Sequence, residues 1–287
     1  MSSTAARLQV GGSRRVVDRV MTVLCGAGLL FAFIPLCSLL FLVISRGLPS
    51  LSWTFLTSVP KPVGETGGGV GNGLLGSALL TLMSAAIGLP AGIGAGIYLA
   101  SNKGEGMFGR TVRFLAEVLS AVPSIVVGLA VYGLVVAPFH HFSALAGGLA
   151  LAILMIPTLA RSTEEVVKLV PHSLYEASLA LGVPEWRSSL LVVTRTALGG
   201  IATAACLAMA RAAGETAPLL FTALSNQFWN VQPTQPTASL PVQIFNYATS
   251  PYPDWQAQAW GAALVLLMFV GGLNILARII SKRATFS

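Results

Sequence analysis

Charge is scarce in this sequence. Only 9% of its 287 residues are Asp, Glu, Lys or Arg, where a soluble domain carries about a quarter. That scarcity excludes an ordinary soluble domain. Acidic residues are rarer still, 10 against 17 basic ones, and the one adjacent histidine pair, His140–His141, has no other His or acid near it in sequence to complete a metal site. Cysteine is limited to Cys25, Cys37 and Cys206, all within apolar runs. Cys25 and Cys37 would lie about 18 Å apart on one helix, beyond disulfide reach, so all three read as buried thiols. The Gly-rich "GETGGGVGNG" lacks the Lys-Ser/Thr of a phosphate loop and reads as a flexible turn. Any use of ATP must therefore belong to a partner.

What is abundant is apolar sequence, 54% of the chain. A helix needs about 20 such residues to cross hydrocarbon, and six segments qualify: 20–44, 74–100, 118–137, 144–160, 197–224 and 259–280. They must be helical, because lipid offers the backbone no hydrogen-bond partner. "PFHHFS" divides the third from the fourth, and His140–His141 there reads as interfacial polarity. Val20–Ser45 is uncharged and too long for a signal h-region of about 7–15 residues, so Arg14–Arg15 reads as flanking charge.

The basic residues alternate between flanks. One side holds Arg7, Arg14, Arg15, Arg19, Lys103, Arg110, Arg113, Arg161, Lys168, Arg187, Arg195, Arg278, Lys282 and Arg283; the other holds only Arg46 and Lys61. This asymmetry predicts cytoplasmic termini and explains the basic balance without nucleic acid. Trp53, Phe55, Trp229, Trp255 and Trp260 fit an interfacial aromatic belt. The expected layout is a cytoplasmic segment 1–19, a first span and outer loop 20–72, a five-span core 73–280 with a cytoplasmic loop at 161–196, and a tail 281–287.

That loop is distinctive. In "VPHSLYEASLALGVPEWRSS", Ser173 and Glu176 have capping-box spacing. Leu174, Ala177, Ser178 and Leu181 fall on one helical face. Gly182 is placed for a left-handed cap, and Pro184–Glu185 suits the first turn of a second helix. The prediction is a two-helix elbow. A surface-lying amphipathic helix is the plainer alternative.

"EASLALG" followed by "VVTRTALGGI" resembles the EAA loop of binding-protein-dependent ABC importer permeases, patterned EAA-x3-G-x9-I-x-L-P. Glu176, Ala177 and Gly182 match. Ser178 replaces the second Ala, Val192 stands for Ile, and Thr194–Arg195 replace Leu-Pro, which removes the kinking proline. "GLLGSALLTLMSAAIGLPAGIGAGIYLA", "SAVPSIVVGL", "MIPTLARSTEEVVKLVP" and "RAAGETAPLLFTAL" resemble the phosphate branch of that family, the PstA type. The resemblance covers most of 73–224. It implies an all-α, six-span, MetI-like type I importer permease in the bacterial inner membrane, without enzymatic activity, cofactor or metal of its own. ATP and Mg would be bound by a cytoplasmic ATPase dimer seated on the elbow (Ser173, Glu176, Ala177, Ser178, Leu181 and Gly182). A second homologous permease and an extracytoplasmic phosphate-binding protein would complete the importer.

Arg211 and Glu215 stand inside the fifth apolar run, at i and i+4, the spacing of one helix face. Ionisable residues at membrane depth cost about 2.5–3.5 kcal/mol or more. They therefore mark either a structural ion pair or a transport route. Arg161, Glu164 and Glu165 end the fourth span and could line an exit or be a solvated helix end; Glu117 opens the third. The resemblance covers Arg161, Glu164, Arg211 and Glu215 and implies a charged translocation route. Residue chemistry alone does not separate phosphate from sulfate or molybdate. An ion-coupled carrier and a non-transporting scaffold are the readings from other classes.

Overall fold

The computed structural model describes residues 12–65, 67–101 and 106–285, without side chains at 12–15, 277 and 280–285. Arg7 and Lys103 lie outside the described residues, as do the side chains of Arg14, Arg15, Lys282 and Arg283. Every regular element among the described residues is helical. Among the described residues five helices are long and apolar enough to cross a membrane, or six if one bent pair counts as a single span.

The chain forms two units, divided between Arg46 and Gly47. The first is essentially α1 (Gly12–Gly47). Most of its apolar side chains are exposed, as a lipid-facing span requires. Cys25 and Cys37 are exposed on it, and only Cys206 is buried. The expectation of three buried thiols fails for those two because nothing within their unit packs over them.

In the second unit a 3-10 turn, Leu48–Ser50, precedes the short α2 (Trp53–Thr57), started by the Ser52 hydroxyl, which accepts from the Phe55 N–H at 3.1 Å. Phe55 is no interfacial residue. It is buried with Val70, Leu240, Ala262 and Val265.

Next, α3 (Gly71–Ala100) lies along α7 (Ala144–Lys168). Gly88, Gly92 and Gly96 make that approach possible. A Cβ on Gly92 would stand 2.9 Å from Leu159, and one on Gly96 only 2.5 Å from Thr163. Small residues four apart let helix backbones meet where hydrophobic collapse gives no drive. Leu80, Leu151, Met155, Leu159 and Leu219 fill the adjoining core.

The third span departs from expectation. In place of one helix over 118–137 there is α4 (Met107–Ala121), then a 103° bend at Val122–Pro123, then α5 (Ser124–Val131). A π-helical turn, Tyr132–Val136, carries α5 into α6 (Ala137–Phe139). Pro123 disfavours helical backbone in the residue before it, which breaks the run. Glu117 therefore lies within the second half of α4 and does not open a helix.

After α7 come the elbow helices α8 (His172–Ala180) and α9 (Glu185–Arg187), then a π-helical turn over Ser188–Val193. It leads into α10 (Thr194–Ala213), which packs on α3, α7 and α13. A short α11 (Ala217–Thr222), α12 (Leu240–Ala248) and α13 (Pro253–Thr285) complete the chain.

Candidate functional site

The fifth span is broken. Helix α10 stops at Ala213, Gly214 caps it, and α11 resumes at Ala217. The sequence "AAGETAP" accounts for the stop: Gly214 weakens the helix, and Pro218, which lacks an N–H and would clash with the carbonyl four residues back, cannot continue α10 but suits the first turn of α11. The freed carbonyls are partly recaptured. Gly214 N–H donates to Arg211 O at 3.1 Å, and Glu215 N–H to Ala212 O at 3.2 Å. Beyond the break α11 climbs to the start of α7, where Ser143 N–H donates to Thr222 O at 3.0 Å. It seats on α5 at Gly128, where a Cβ would come within 2.5 Å of Pro218.

Arg211 lies in the last turn of α10 and Glu215 in the break itself, so they do not share a continuous helix face as their spacing predicts. They still meet, Nε to Oε1, at 3.8 Å. This is a loose pair: the Arg211 side chain is 69% exposed and that of Glu215 only 22%. With Leu154, Met155 and Thr158 they line a cavity of about 10 Å³, about the room of one water molecule. Those neighbours stand at the middle of α7, so the pair sits at mid-depth of the bundle. Irregular backbone at such depth is tolerated where it is buried or lines a water-filled cavity.

A second charged group joins α4 to the far end of α7. Buried Glu164 accepts from Arg113 Nε at 2.8 Å and from Lys168 Nζ at 2.6 Å. Arg113 also donates to the Leu99 carbonyl at 2.7 Å, which ties in the end of α3. Arg161 donates to Glu117 at 2.6 Å and approaches Glu165 at 3.7 Å. These six side chains border a cavity of about 240 Å³. The structure thus places Arg161 and Glu164 in one cluster and Arg211 and Glu215 in another. Arg113 and Lys168 read from sequence only as flanking charge. The signal that could have found them is matched spacing: Arg113 and Glu117 at i,i+4 on one helix, facing Arg161, Glu164, Glu165 and Lys168 on the next.

The elbow forms, with one change. Pro171 precedes α8 and no side chain caps it. Ser173 lies inside the first turn, and Glu176 contacts His172 Nδ1 at 3.1 Å, so the capping box is absent. Pro171 moves the start upstream because its fixed φ suits entry into a helix. The far end closes as predicted. Gly182 has φ +79°, its N–H donates to Leu179 O at 2.9 Å, and Val183 N–H donates to Ser178 O at 3.2 Å, which together make a Schellman motif. Leu174, Ala177 and Leu181 are exposed, Leu181 by 85%, while Ser178 turns inward.

At the opposite end of α3, a cavity of about 360 Å³ is lined by Lys61, Asn72, Asn226, Gln243 and Asn246, with Trp255 beside Tyr247. Burial raises the Tyr247 hydroxyl above its usual range, and its hydrogen bond with Gln243 partly offsets that. Among the described residues no three His, Cys, Asp or Glu side chains cluster as metal ligands would. His140 occupies the left-handed region at φ 57° and closes the turn after α6.

Comparison with known proteins agrees with this architecture. Residues 92–286 match the family described as "Binding-protein-dependent transport system inner membrane component". The chain is 46% identical over 267 residues to "Phosphate transport system permease protein PstA" of Yersinia pestis, covering 93% of this chain and 90% of that one. It is 43% identical over 267 residues to the protein of the same name from Pasteurella multocida, covering 93% and 95%. A solved chain of the inward-facing MetNI methionine ABC transporter shares the fold, with TM-score 0.64 at 18% identity, over 75% of this chain and 96% of that one.

Proposed function

Because the chain belongs to the binding-protein-dependent inner-membrane transport components, and among these multi-pass permeases to the PstA type, we propose that it forms half of the translocation pore of an ATP-driven phosphate importer. The observation that carries this reading is the broken fifth span, with Arg211 and Glu215 at mid-depth. A guanidinium offers a planar fork of donors to an oxyanion. Glu215, loosely held at 3.8 Å, neutralises Arg211 between passages and competes with the anion. Conduction needs binding favourable enough to enter and weak enough to leave. Arg161 and Glu164 belong to the same route at the end nearer the elbow. There the carboxylates keep the cations occupied until the substrate arrives.

The chain carries out no covalent chemistry and holds no cofactor. ATP and Mg are bound by two copies of a cytoplasmic ATPase. One of these seats on the exposed face of α8, through Ala177 and Leu181, with Glu176 beside them and the Gly182 turn fixing the angle. ATP binding favours one pore state through the ATPase's differential affinity for the two. A second homologous permease closes the pore, and an extracytoplasmic binding protein delivers phosphate. Both termini and the elbow at 161–196 face the cytoplasm, and the core spans 73–280.

The test is ATP-driven uptake of labelled phosphate into vesicles carrying the assembled complex, with sulfate and molybdate as competitors. Uptake suppressed by phosphate alone supports the assignment. Equal suppression by all three oxyanions removes phosphate as the substrate and keeps the permease. Uptake without ATP returns the ion-coupled carrier.

A further inference from the structure

We propose that Ser178 and Ser188 form a buried hydroxyl clasp that fixes the elbow to the fifth span, making both positioning residues of the coupling step. The inference rests on the coupling role proposed above for α8.

The hydrogen bonds give the clasp a direction. The Ser178 hydroxyl donates to Tyr175 O at 2.7 Å, and its proton is committed there. Ser178 Oγ and Ser188 Oγ are also in hydrogen-bond contact. Ser188 must therefore be the donor of that contact, and the relay runs from Ser188 to Ser178 to the Tyr175 carbonyl. Both residues are buried, Ser178 at 6% exposure and Ser188 at 0%. A buried hydroxyl is costly without a partner, so each serine makes the other tolerable. The EAA pattern has alanine where Ser178 stands. A hydroxyl there needs an acceptor or donor across the contact, and Ser188 provides it.

The surroundings concentrate the mechanical link on this pair. Helix α8 packs mainly against the π-helical turn that Ser188 begins. Its first half is undercut by a cavity of about 400 Å³, bordered by Pro171, His172, Tyr175, Ile97 and Val193. Displacement of the exposed Ala177 and Leu181 thus reaches the span through Ser178 and through the turn at Gly182. On the other side, the Thr194 hydroxyl donates to Ser189 O at 2.8 Å and closes the π turn. The helix that follows carries Arg211 in its last turn. Elbow and charged site are then the two ends of one lever, with the serines at its joint.

The experiment measures phosphate carried and ATP hydrolysed in the same proteoliposomes containing the full complex, for S178A, S188A and S178A/S188A. The expected result is a fall of about two- to tenfold in phosphate carried per ATP in all three, the range expected from one lost hydrogen bond. S178A, which strands the Ser188 donor, also lowers thermal stability more than S188A. The double variant leaves no unpaired hydroxyl, so it regains stability without regaining the ratio. A double variant with the wild-type ratio overturns the proposal, because the serines would then only pack. Loss of the co-purifying ATPase in the double variant overturns it too, since the pair would then maintain the docking surface. The coupling role itself is tested separately by A177D/L181D. An ATPase that stays attached to that variant sinks the role of α8, whatever the serines do.

Discussion

At the residue scale, the charged side chains divide by how firmly each is held. Glu164 is buried between Arg113 and Lys168 at 2.8 and 2.6 Å, whereas Arg211 meets Glu215 only at 3.8 Å and is mostly exposed. The tight cluster ties α4 and the end of α3 to α7; the loose pair is held far less firmly. Arg211→Gln removes one charge-assisted donor set, worth about 1.5–3 kcal/mol, so phosphate uptake falls about 10- to 100-fold while the complex still assembles. Uptake at the wild-type rate would make the pair a packing element. Glu164→Gln is expected to act differently. It leaves two cations with a neutral partner and destabilises by about 1–3 kcal/mol, visible as a lower melting midpoint of the purified complex. An unchanged midpoint would show that Arg113 and Lys168 find other partners.

At the element scale, two backbone features stand out: the glycine ladder between α3 and α7, and the left-handed turn at Gly182. Gly96→Val would drive a branched side chain into Thr163 and the Ala160 carbonyl, since even a Cβ would approach within 2.6 Å. Overpacking of this kind costs about 1–3 kcal/mol, and the yield of folded protein in the membrane falls accordingly. Gly182→Val forces a β-branched residue to φ +79°, at about 1–2 kcal/mol. Less ATPase then co-purifies; equal recovery would place the docking surface elsewhere. Much of this scale was legible in the sequence. Spans follow from apolar run length, and the elbow's end from Gly182 and Pro184. The breaks were less legible. Apolar sequence flanks both Val122–Pro123 and Gly214–Thr216, so a hydropathy window passes over both, and only local backbone chemistry marks them. The start of α8 was misplaced because Ser173 and Glu176 have cap spacing, yet Pro171 sets the helix boundary two residues earlier. The EAA pattern's missing proline was read as a lost kink. The π turn over Ser188–Val193 ends just before Thr194–Arg195, where the pattern has Leu-Pro, a feature no residue pattern announced.

At the scale of the whole molecule, the charged groups lie at two levels of one bundle, the Arg211–Glu215 pair at the middle of α7 and the Glu164 cluster at its end. The proposed orientation is directly checkable. In a variant with its 3 cysteines replaced, Ser173→Cys should react with an impermeant maleimide only from the cytoplasmic side, and Trp53→Cys only from outside. Labelling of both from one side would reverse or break the topology. The exposure of Arg211 has a consequence for the life of the protein before it transports anything. A guanidinium 69% exposed on a membrane helix is a poor neighbour for lipid, at about 2.5–3.5 kcal/mol or more. Glu215 covers only part of it, and the remainder calls for water or a further polar surface. On the proposed reading, a copy lacking a polar neighbour at this face would turn the charge toward lipid, so the side chain proposed to pass the anion would also disfavour the lone chain in the membrane.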